Sequence, residues 1–430
     1  MLGPGNDVPL PARNRLAEQV ALLFTVWALS RILLVCLSRA RGWYAYQDDP
    51  FDLALFPSWG HAFATGEGDV PLRDTPWEYP VGAVLVVVLP ALLTGVSYQL
   101  GFVGLMLATD AVLLLALLLI GLRTGRLGGA WLWCAAVPLL GPVAVARYDV
   151  IPTLAAVAGL GLAPVMPFAS GVVLALGGSL KLWPLLLLPL TALLLPGARR
   201  AAVGAAVALL VVVGVATSFG GAGQLLSFLT YQRDRGLEIE SLPALPLLLA
   251  HLHGNDSVQV FFGFGSYQID GPYADLLRQI SSVGLVVVLA GVTLLVVRAR
   301  RAKPDLDTVV VLAAVLVAGL LCVNKVLSAQ YPLWLAGLIA LGLCTRQRTL
   351  LPAVPLLCAL LVLTQLVYPL LILDITAVQA RGVVVLALRD AVLLALTAQL
   401  AVLGWRATRA PTTSLTEPVT AAQETMTHAS

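Results

Sequence analysis

The stretch between residues 44 and 79 concentrates acidic side chains that could act as a general base. It holds seven carboxylates, among them Asp49, Asp52 and Glu78. A carboxylate accepts the proton of an attacking hydroxyl group when it lies within hydrogen-bond reach. Asp52 shares a helical face with Phe56 and Trp59, a spacing that suits an interfacial helix with an acid at one end. Spacing alone favours the simpler interpretation, a solvated loop in which an aspartate caps a helix.

The stretch Tyr231–Ser241 carries five charged side chains within eight residues. Arg233 and Arg235 could grip a phosphate, because a guanidinium presents a fork of hydrogen-bond donors. Glu238 and Glu240 could bind sugar hydroxyls or hold the arginines in place. A solvated run of charges is the alternative interpretation.

Two further polar clusters separate apolar runs. Arg147, Tyr148 and Asp149 follow a long apolar stretch and could form an interfacial anchor with an Arg–Asp pair. Lys181 lies between two short apolar segments, where its ammonium could bind a lipid phosphate as a point charge. The same side chain could instead extend to the membrane interface.

The stretch Asn324–Trp334 leads directly into an apolar run. Lys325, Ser328, Gln330 and Tyr331 lie close to that run, where unsatisfied polar groups are costly. A functional site explains four such side chains better than four separate structural roles.

The composition indicates the environment in which these side chains act. Of 430 residues, 59% are apolar and 11% are charged, against about 25% charged in a soluble domain. Since no soluble globule could bury so many apolar side chains, we expect a membrane protein. The net charge of +3 and the scattered basic residues predict no nucleic-acid partner.

Apolar runs divide the chain into membrane segments and two polar loops. We expect a cytoplasmic N-terminus over 1–18, a first transmembrane helix over 19–38, a first extracytoplasmic loop with the candidate catalytic acid over 39–80, transmembrane bundles over 81–218 and 277–404, a second extracytoplasmic loop over 219–276, and a disordered cytoplasmic tail over 405–430.

The run 81–97 decides the topology. Pro80 and Pro90 bracket it, which favours a re-entrant or interfacial element. If this run does not cross, the arginine clusters after the later runs fall on the cytoplasmic side, as the positive-inside rule requires. The predicted fold is an all-α polytopic membrane protein with about 12 transmembrane helices (11–13) and a re-entrant or interfacial segment after the first loop.

This topology places the polar clusters together at the outer side of the membrane. A transporter would be expected to keep its key charges near the midplane, where the candidates are Arg31 and Asp110, which could simply pair with each other. An enzyme that works at the outer boundary on lipid-borne substrates fits better. A polytopic lipid or solute transporter is the alternative.

In their order along the chain, these clusters resemble the polyprenol-phosphate-mannose-dependent α-(1→2) mannosyltransferases of the GT-C class. The likeness covers about residues 50–335. Its pieces are Asp52-Leu53 with Phe56, Ser58-Trp59 and Gly66, then Val70-Pro71-Leu72-Arg73-Asp74, Trp77-Glu78-Tyr79-Pro80, Arg147-Tyr148-Asp149, Gly178-Ser179-Leu180-Lys181-Leu182-Trp183-Pro184, Arg235-Gly236-Leu237-Glu238-Ile239-Glu240-Ser241, and Lys325-Val326-Leu327-Ser328-Ala329-Gln330-Tyr331. Phe56, Val81 and Ala329 depart from the family pattern and leave an inactive relative as a third interpretation.

The resemblance implies a GT-C-type bundle that transfers mannose, with inversion, from a polyprenyl-phosphate donor to a glycolipid or glycan hydroxyl. Transfer takes place at the extracytoplasmic face of the cell membrane, so membrane lipids, donor and acceptor are the implied partners. By likeness Asp52 is the general base, and Arg147, Lys181, Arg235 and Lys325 balance the charge of the leaving phosphate. The other candidates for donor binding are Tyr148, Asp149, Arg233, Glu238, Glu240, Gln330 and Tyr331.

No cofactor and no metal are predicted to be required. The five cysteines are scattered and make no metal-spaced pair, and no Walker loop is present. The adjacent Asp48 and Asp49 could supply oxygen ligands to a divalent cation, but two neighbouring acids are too few to define a site.

Overall fold

The computed structural model describes residues 10–39, 51–302, 304–345 and 347–409, with side chains from Arg15 to Leu37 and from Leu55 onward. The predictions made for Asp48, Asp49 and the C-terminal tail after Arg409 lie outside this part of the chain.

Helices dominate the described residues. In the first half they are α1 (Leu10–Arg39), α2 (Phe51–Thr65), α3 (Ala83–Ala91), α4 (Tyr98–Thr124), α5 (Gly128–Leu140), α6 (Val143–Ala146), α7 (Val150–Leu162), α8 (Pro167–Leu180), α9 (Leu188–Leu194) and α10 (Ala198–Ser218). In the second half they are α11 (Ser227–Asp234), α12 (Leu245–Leu252), α13 (Ala274–Arg300), α14 (Leu306–Val323), α15 (Pro332–Cys344), α16 (Val354–Gln365), α17 (Ile372–Thr376) and α18 (Ala380–Ala407).

Short irregular turns and three strands complete the fold. The 3-10 turns are Trp183–Leu187, Gly221–Gln224, Leu242–Ala244 and Leu351–Ala353, and a π-type turn covers Leu366–Leu370. The strands are β1 (Leu237–Glu238), β2 (Gln259–Gly263) and β3 (Ser266–Asp270).

Within the described residues, seven helices are long and apolar enough to cross a membrane. They are Arg15–Leu37, Tyr98–Thr124, Ala198–Ser218, Ala274–Arg300, Leu306–Val323, Leu351–Leu370 and Ala380–Ala407. The prediction of a mostly helical, multi-pass membrane protein is therefore confirmed. Within the predicted re-entrant run, α3 has nine residues, or about 14 Å at 1.5 Å per residue, well short of a hydrocarbon core of about 30 Å. The re-entrant role and the count of twelve crossings stay predictions.

Helices α14 and α15 form the centre of the bundle. Every residue of α15 is buried, as are fourteen residues of α14. Helices α10 and α13 instead expose leucine and valine side chains such as Leu210 and Val286. A helix that is apolar on all sides can be enclosed by protein or face lipid, so the apolar runs could not distinguish these two environments.

A buried ion pair ties α1 to α4 and α5. Arg31 Nε donates to Asp110 Oδ2 at 2.8 Å, and Arg31 Nη1 donates to the carbonyl of Cys134 at 2.8 Å. The indole groups of Trp27 and Trp133 donate to the two carboxylate oxygens at 2.6 and 2.7 Å. The predicted pairing of Arg31 with Asp110 is confirmed, and the network satisfies both charges inside the bundle.

The second polar loop contains a small antiparallel sheet of order β1–β3–β2. Leu237 pairs with Ile269, and Gln259 pairs with Asp270. Leu237 and Ile269 belong to a hydrophobic cluster with Leu386 of α18. This contact seats the sheet on the end of the bundle, so that a segment predicted only as a polar loop has a fixed position.

Candidate active site

A cavity of about 520 Å³ lies where the sheet and the second loop meet the bundle. The structure brings many of the predicted site residues to its wall, from segments far apart in sequence. They are Glu78, Arg147, Tyr148, Asp149, Lys181, Arg235, Glu238, Glu240, Lys325, Gln330 and Tyr331.

Two predicted residues have no described side chain, and a third lies apart from this wall. Asp49 lies outside the described residues. Asp52 belongs to α2, three residues before Leu55, which does line the cavity. The side chain of Arg233 is 75% exposed and pairs with Asp234 at 2.9 Å, so Arg233 lies apart from the other cations.

Lys181 and Asp149 form an ion pair at the cavity wall. Lys181 Nζ donates to the two carboxylate oxygens at 2.8 and 2.9 Å, and Trp334 Nε1 donates to Asp149 Oδ1 at 2.8 Å. The ammonium also lies 4.9 Å from the centre of the Tyr148 ring and 4.8 Å from that of Tyr331. Asp149 thus pairs with Lys181, and much of the lysine charge is balanced inside the protein.

The sequence positions Lys181 by folding the chain back directly after α8. A Cβ atom on Gly178 would lie 2.6 Å from Cβ of Leu185. Glycine at this position therefore lets the turn Trp183–Leu187 pack against the end of α8. The close approach places Lys181 and Trp183 on the same wall.

Lys325 fixes the segment that carries Arg235. Its ammonium donates to the carbonyls of Arg233 and Arg235 at 2.8 and 2.6 Å, and its own carbonyl accepts a hydrogen bond from Glu238 N at 2.9 Å. Burial lowers the pKa of Lys325, and the charges of Arg278 and Arg235 lower it further. Lys325 acts here as a clamp on the second loop.

Part of the Arg235 guanidinium lacks a hydrogen-bond partner. Its Nη2 donates to Ser266 Oγ at 2.7 Å, and its buried Nε has no hydrogen-bond partner. No ion pair with Arg235 occurs among the residues that the structure describes. A guanidinium in this state favours an incoming anion.

Glu78 faces Arg235 from the first loop. Burial raises the pKa of Glu78, while a hydrogen bond with Tyr231 and the charge of Arg235 oppose that rise. The Tyr231 ring packs edge-on against Phe264 at the tip of the β2–β3 hairpin, with ring centres 5.3 Å apart. Glu78 is therefore a second candidate for proton transfer, held by a tyrosine that also supports the hairpin.

Two buried carboxyls, Glu238 and Glu240, line the same cavity as Arg235. Ser328 Oγ donates to Glu238 Oε1 at 3.4 Å, and the Oε2 atoms of both glutamates have no partner. Burial raises the pKa of Glu240 to about 8, although the Arg389 charge opposes the rise. Arg389 Nη2 also donates to the Glu240 carbonyl.

The model of glycosyltransferase family 87 matches residues 77–323, more than half of the chain. The chain belongs to glycosyltransferase family 87. Comparisons with curated proteins and with solved structures each gave no match. The family match confirms the predicted class, a membrane glycosyltransferase of GT-C type, and argues against the transporter alternative. Mannose and the polyprenyl-phosphate donor stay predictions.

Sequence reasoning missed two charged residues of this family 87 protein. Arg389 and Asp390 lie in α18, within the run 386–404 that was interpreted only as a crossing, and both are buried. Arg389 Nε lies 2.8 Å from Asp390 Oδ1, although without hydrogen-bond geometry. Two adjacent charges inside an apolar run were the available signal, because ionisable groups in membrane helices are rare and usually functional.

We expect the activity of this family 87 protein to survive removal of divalent cations. Among the described residues, no group of three or more His, Cys, Asp or Glu side chains could hold a metal ion. Transfer would be measured after treatment with EDTA and after adding Mn²⁺ or Mg²⁺ back. Activity that is lost on chelation and restored by either cation would refute the prediction and direct attention to Asp48 and Asp49.

Proposed function

We propose that this protein transfers mannose from a polyprenyl-phosphate donor to a hydroxyl of a cell-envelope glycolipid or glycan. The observation that carries the proposal is Arg235, a partly buried guanidinium whose Nε has no hydrogen-bond partner, in a cavity that carboxyl groups also line, in a chain of family 87. A guanidinium can bind the phosphate of a sugar phosphate, and carboxyl groups can bind its sugar hydroxyls.

The charges along the wall support a donor with a single phosphodiester. Lys181 is paired with Asp149, and Lys325 binds two carbonyls. Arg147 lies on the same wall, and Arg235, whose Nε has no hydrogen-bond partner, can meet the single negative charge of a lipid-linked sugar monophosphate.

The lining also supports a substrate that arrives through the lipid. Leu182, Leu186 and Leu285 line the cavity and are at the same time exposed. An apolar opening of this kind suits the chain of a lipid-linked donor, because burying its methylene groups is favourable.

The orientation of α13 supports an active site on the outer side. Ser281, Ser282 and Leu285 near its start line the cavity, whereas Arg298 and Arg300 lie in its last turn. The positive-inside rule assigns the arginine end to the cytoplasm. The cavity would then open at the opposite, extracytoplasmic side.

In the proposed reaction, the acceptor hydroxyl oxygen attacks C1 of the sugar as the bond from C1 to the phosphate oxygen breaks. The leaving phosphate keeps the bonding electron pair, and Arg235 stabilises its charge. The hydroxyl proton passes to a carboxylate, Asp52 by resemblance or Glu78 by its place in the cavity. A single displacement inverts the configuration at C1.

The experiment is sugar transfer in lipid nanodiscs with radiolabelled polyprenyl-phosphate mannose and an envelope-lipid extract. Wild type, Asp52→Asn and Glu78→Gln would be compared. Transfer that is lost in Asp52→Asn but retained in Glu78→Gln would support Asp52 as the base, and the opposite pattern would assign Glu78. A wild-type protein that binds no donor would refute the proposal in favour of the transporter.

We expect the KM for the donor to rise as the pH increases through about 8. The pKa of Glu240 is raised to about 8, so at neutral pH this carboxyl keeps its proton. Above pH 8 it adds a negative charge beside Glu238, Arg147, Arg389 and Asp390, which disfavours an anionic donor. KM would be measured from pH 6.5 to 9 in wild type and Glu240→Gln. The same slope in both proteins would contradict this assignment.

A further inference from the structure

Trp183 is buried in the cavity wall with an unused hydrogen-bond donor. It begins the 3-10 turn after α8, is 4% exposed and lines the cavity. Its indole Nε1 has no hydrogen-bond partner. A buried tryptophan usually directs this N–H to an acceptor, since leaving the group unpaired costs about 1–3 kcal/mol.

The neighbouring Trp334 provides an internal comparison. The rings of Trp183 and Trp334 stack with centres 5.2 Å apart and planes 22° apart. Tyr331 stacks on Trp334 with a separation of 4.2 Å. Trp334 Nε1 donates to Asp149 at 2.8 Å, so the two stacked indoles differ in that only Trp183 lacks an acceptor.

The stack also holds Trp183 in place. A ring that is packed against Trp334 and shielded from solvent cannot readily turn its N–H towards bulk water. Its donor is therefore oriented before any ligand arrives, which reduces the entropy lost on binding. An indole N–H only donates, so the matching group on a ligand is an oxygen acceptor.

We propose that Trp183 Nε1 donates a hydrogen bond to an oxygen of the lipid-linked sugar donor, which makes Trp183 a donor-binding residue. The inference rests on the proposed function. The acceptor is an oxygen of the phosphate or of the sugar. Phosphate and sugar oxygens both accept hydrogen bonds. Trp183 lines the same cavity wall as Lys181 and Arg235.

The test replaces Trp183 with 3-benzothienylalanine, which exchanges the N–H for sulfur and keeps the shape of the ring. The same replacement at Trp334 is the matched control. The dissociation constant for polyprenyl-phosphate mannose and the thermal stability without substrate are measured in nanodiscs. We expect the Trp183 replacement to weaken donor binding about tenfold without loss of stability. We expect the Trp334 replacement to lower stability, because Asp149 loses a partner.

A second ligand, polyprenyl phosphate without sugar, identifies the acceptor oxygen. Equal weakening for both ligands assigns the phosphate, and weakening for the glycosylated donor alone assigns the sugar. Unchanged affinity of the Trp183 replacement for a donor that wild type binds overturns the inference and leaves the proposed function standing. Failure of wild type to bind the donor overturns both.

Discussion

Replacement of Arg235 by glutamine is expected to lower kcat/KM for sugar transfer by about 10²–10³-fold. Loss of a preorganised group that stabilises developing charge has effects of this size. Arg235 is partly buried, donates from Nη2 to Ser266 Oγ and has no hydrogen-bond partner for its buried Nε. Because the negative charge grows as the phosphate leaves, kcat should fall more than donor affinity.

Arg233→Gln is the matched control for this prediction. Arg233 lies two residues away, is 75% exposed and pairs with Asp234, so its loss should change kcat/KM by less than about twofold. Ser266→Ala tests whether the hydrogen bond alone matters, since it leaves the guanidinium charge in place. Equal losses for Arg233→Gln and Arg235→Gln would show that the second loop acts only through its overall charge.

Replacement of Asp110 by alanine is expected to lower the free energy of unfolding by about 3–5 kcal/mol, the usual effect of removing one partner of a buried ion pair. Arg31 and Asp110 are nearly inaccessible to solvent, and Trp27 and Trp133 also donate to this carboxylate. The variant would leave the Arg31 charge buried without its counter-ion. Unfolding in detergent micelles, followed by tryptophan fluorescence, measures the loss.

The double variant Arg31→Met/Asp110→Leu distinguishes loss of the pair from loss of packing. Replacing both partners by apolar residues of similar size is often neutral, so we expect the double variant to be more stable than Asp110→Ala. Neither residue lines the cavity, and donor affinity should be unchanged. A double variant less stable than the single one would show that packing, rather than the unpaired charge, determines the effect.

The sequence predicted a mostly helical, multi-pass membrane protein, because the length of an apolar run is a local property. The meeting of the polar clusters at one cavity could also be predicted. Helices that cross a membrane in alternating directions bring every second connection to the same side. The partner of Asp149 could not be predicted in this way. Arg147 is two residues away, yet Asp149 pairs with Lys181, because the fold-back after α8 brings the lysine within 2.8 Å. Pairing of this kind depends on helix packing.

The sequence carried a local signal for the β2–β3 hairpin, Gly263-Phe264-Gly265, within the stretch that was predicted only as a second polar loop. In the structure Phe264 and Gly265 have φ values of +53° and +69°, the signs that a two-residue type I′ hairpin turn requires. The flanking residues Val260–Phe262 and Tyr267–Ile269 favour strands. Short strands next to long apolar helices are easily overlooked.

Lys325 holds the second loop at its start, so other parts of this loop can vary in length and sequence. Lys325 follows the enclosed helix α14 directly and grips the main chain at Arg233 and Arg235. Arg235 is thus anchored to the centre of the bundle, whatever the length of the loop that follows it. The exposed turn around Asp256 could accept an inserted tag or a longer connection without displacing Arg235. The turn around Asp256 can therefore vary, while Lys325 and the small sheet hold the site residues of this loop in place.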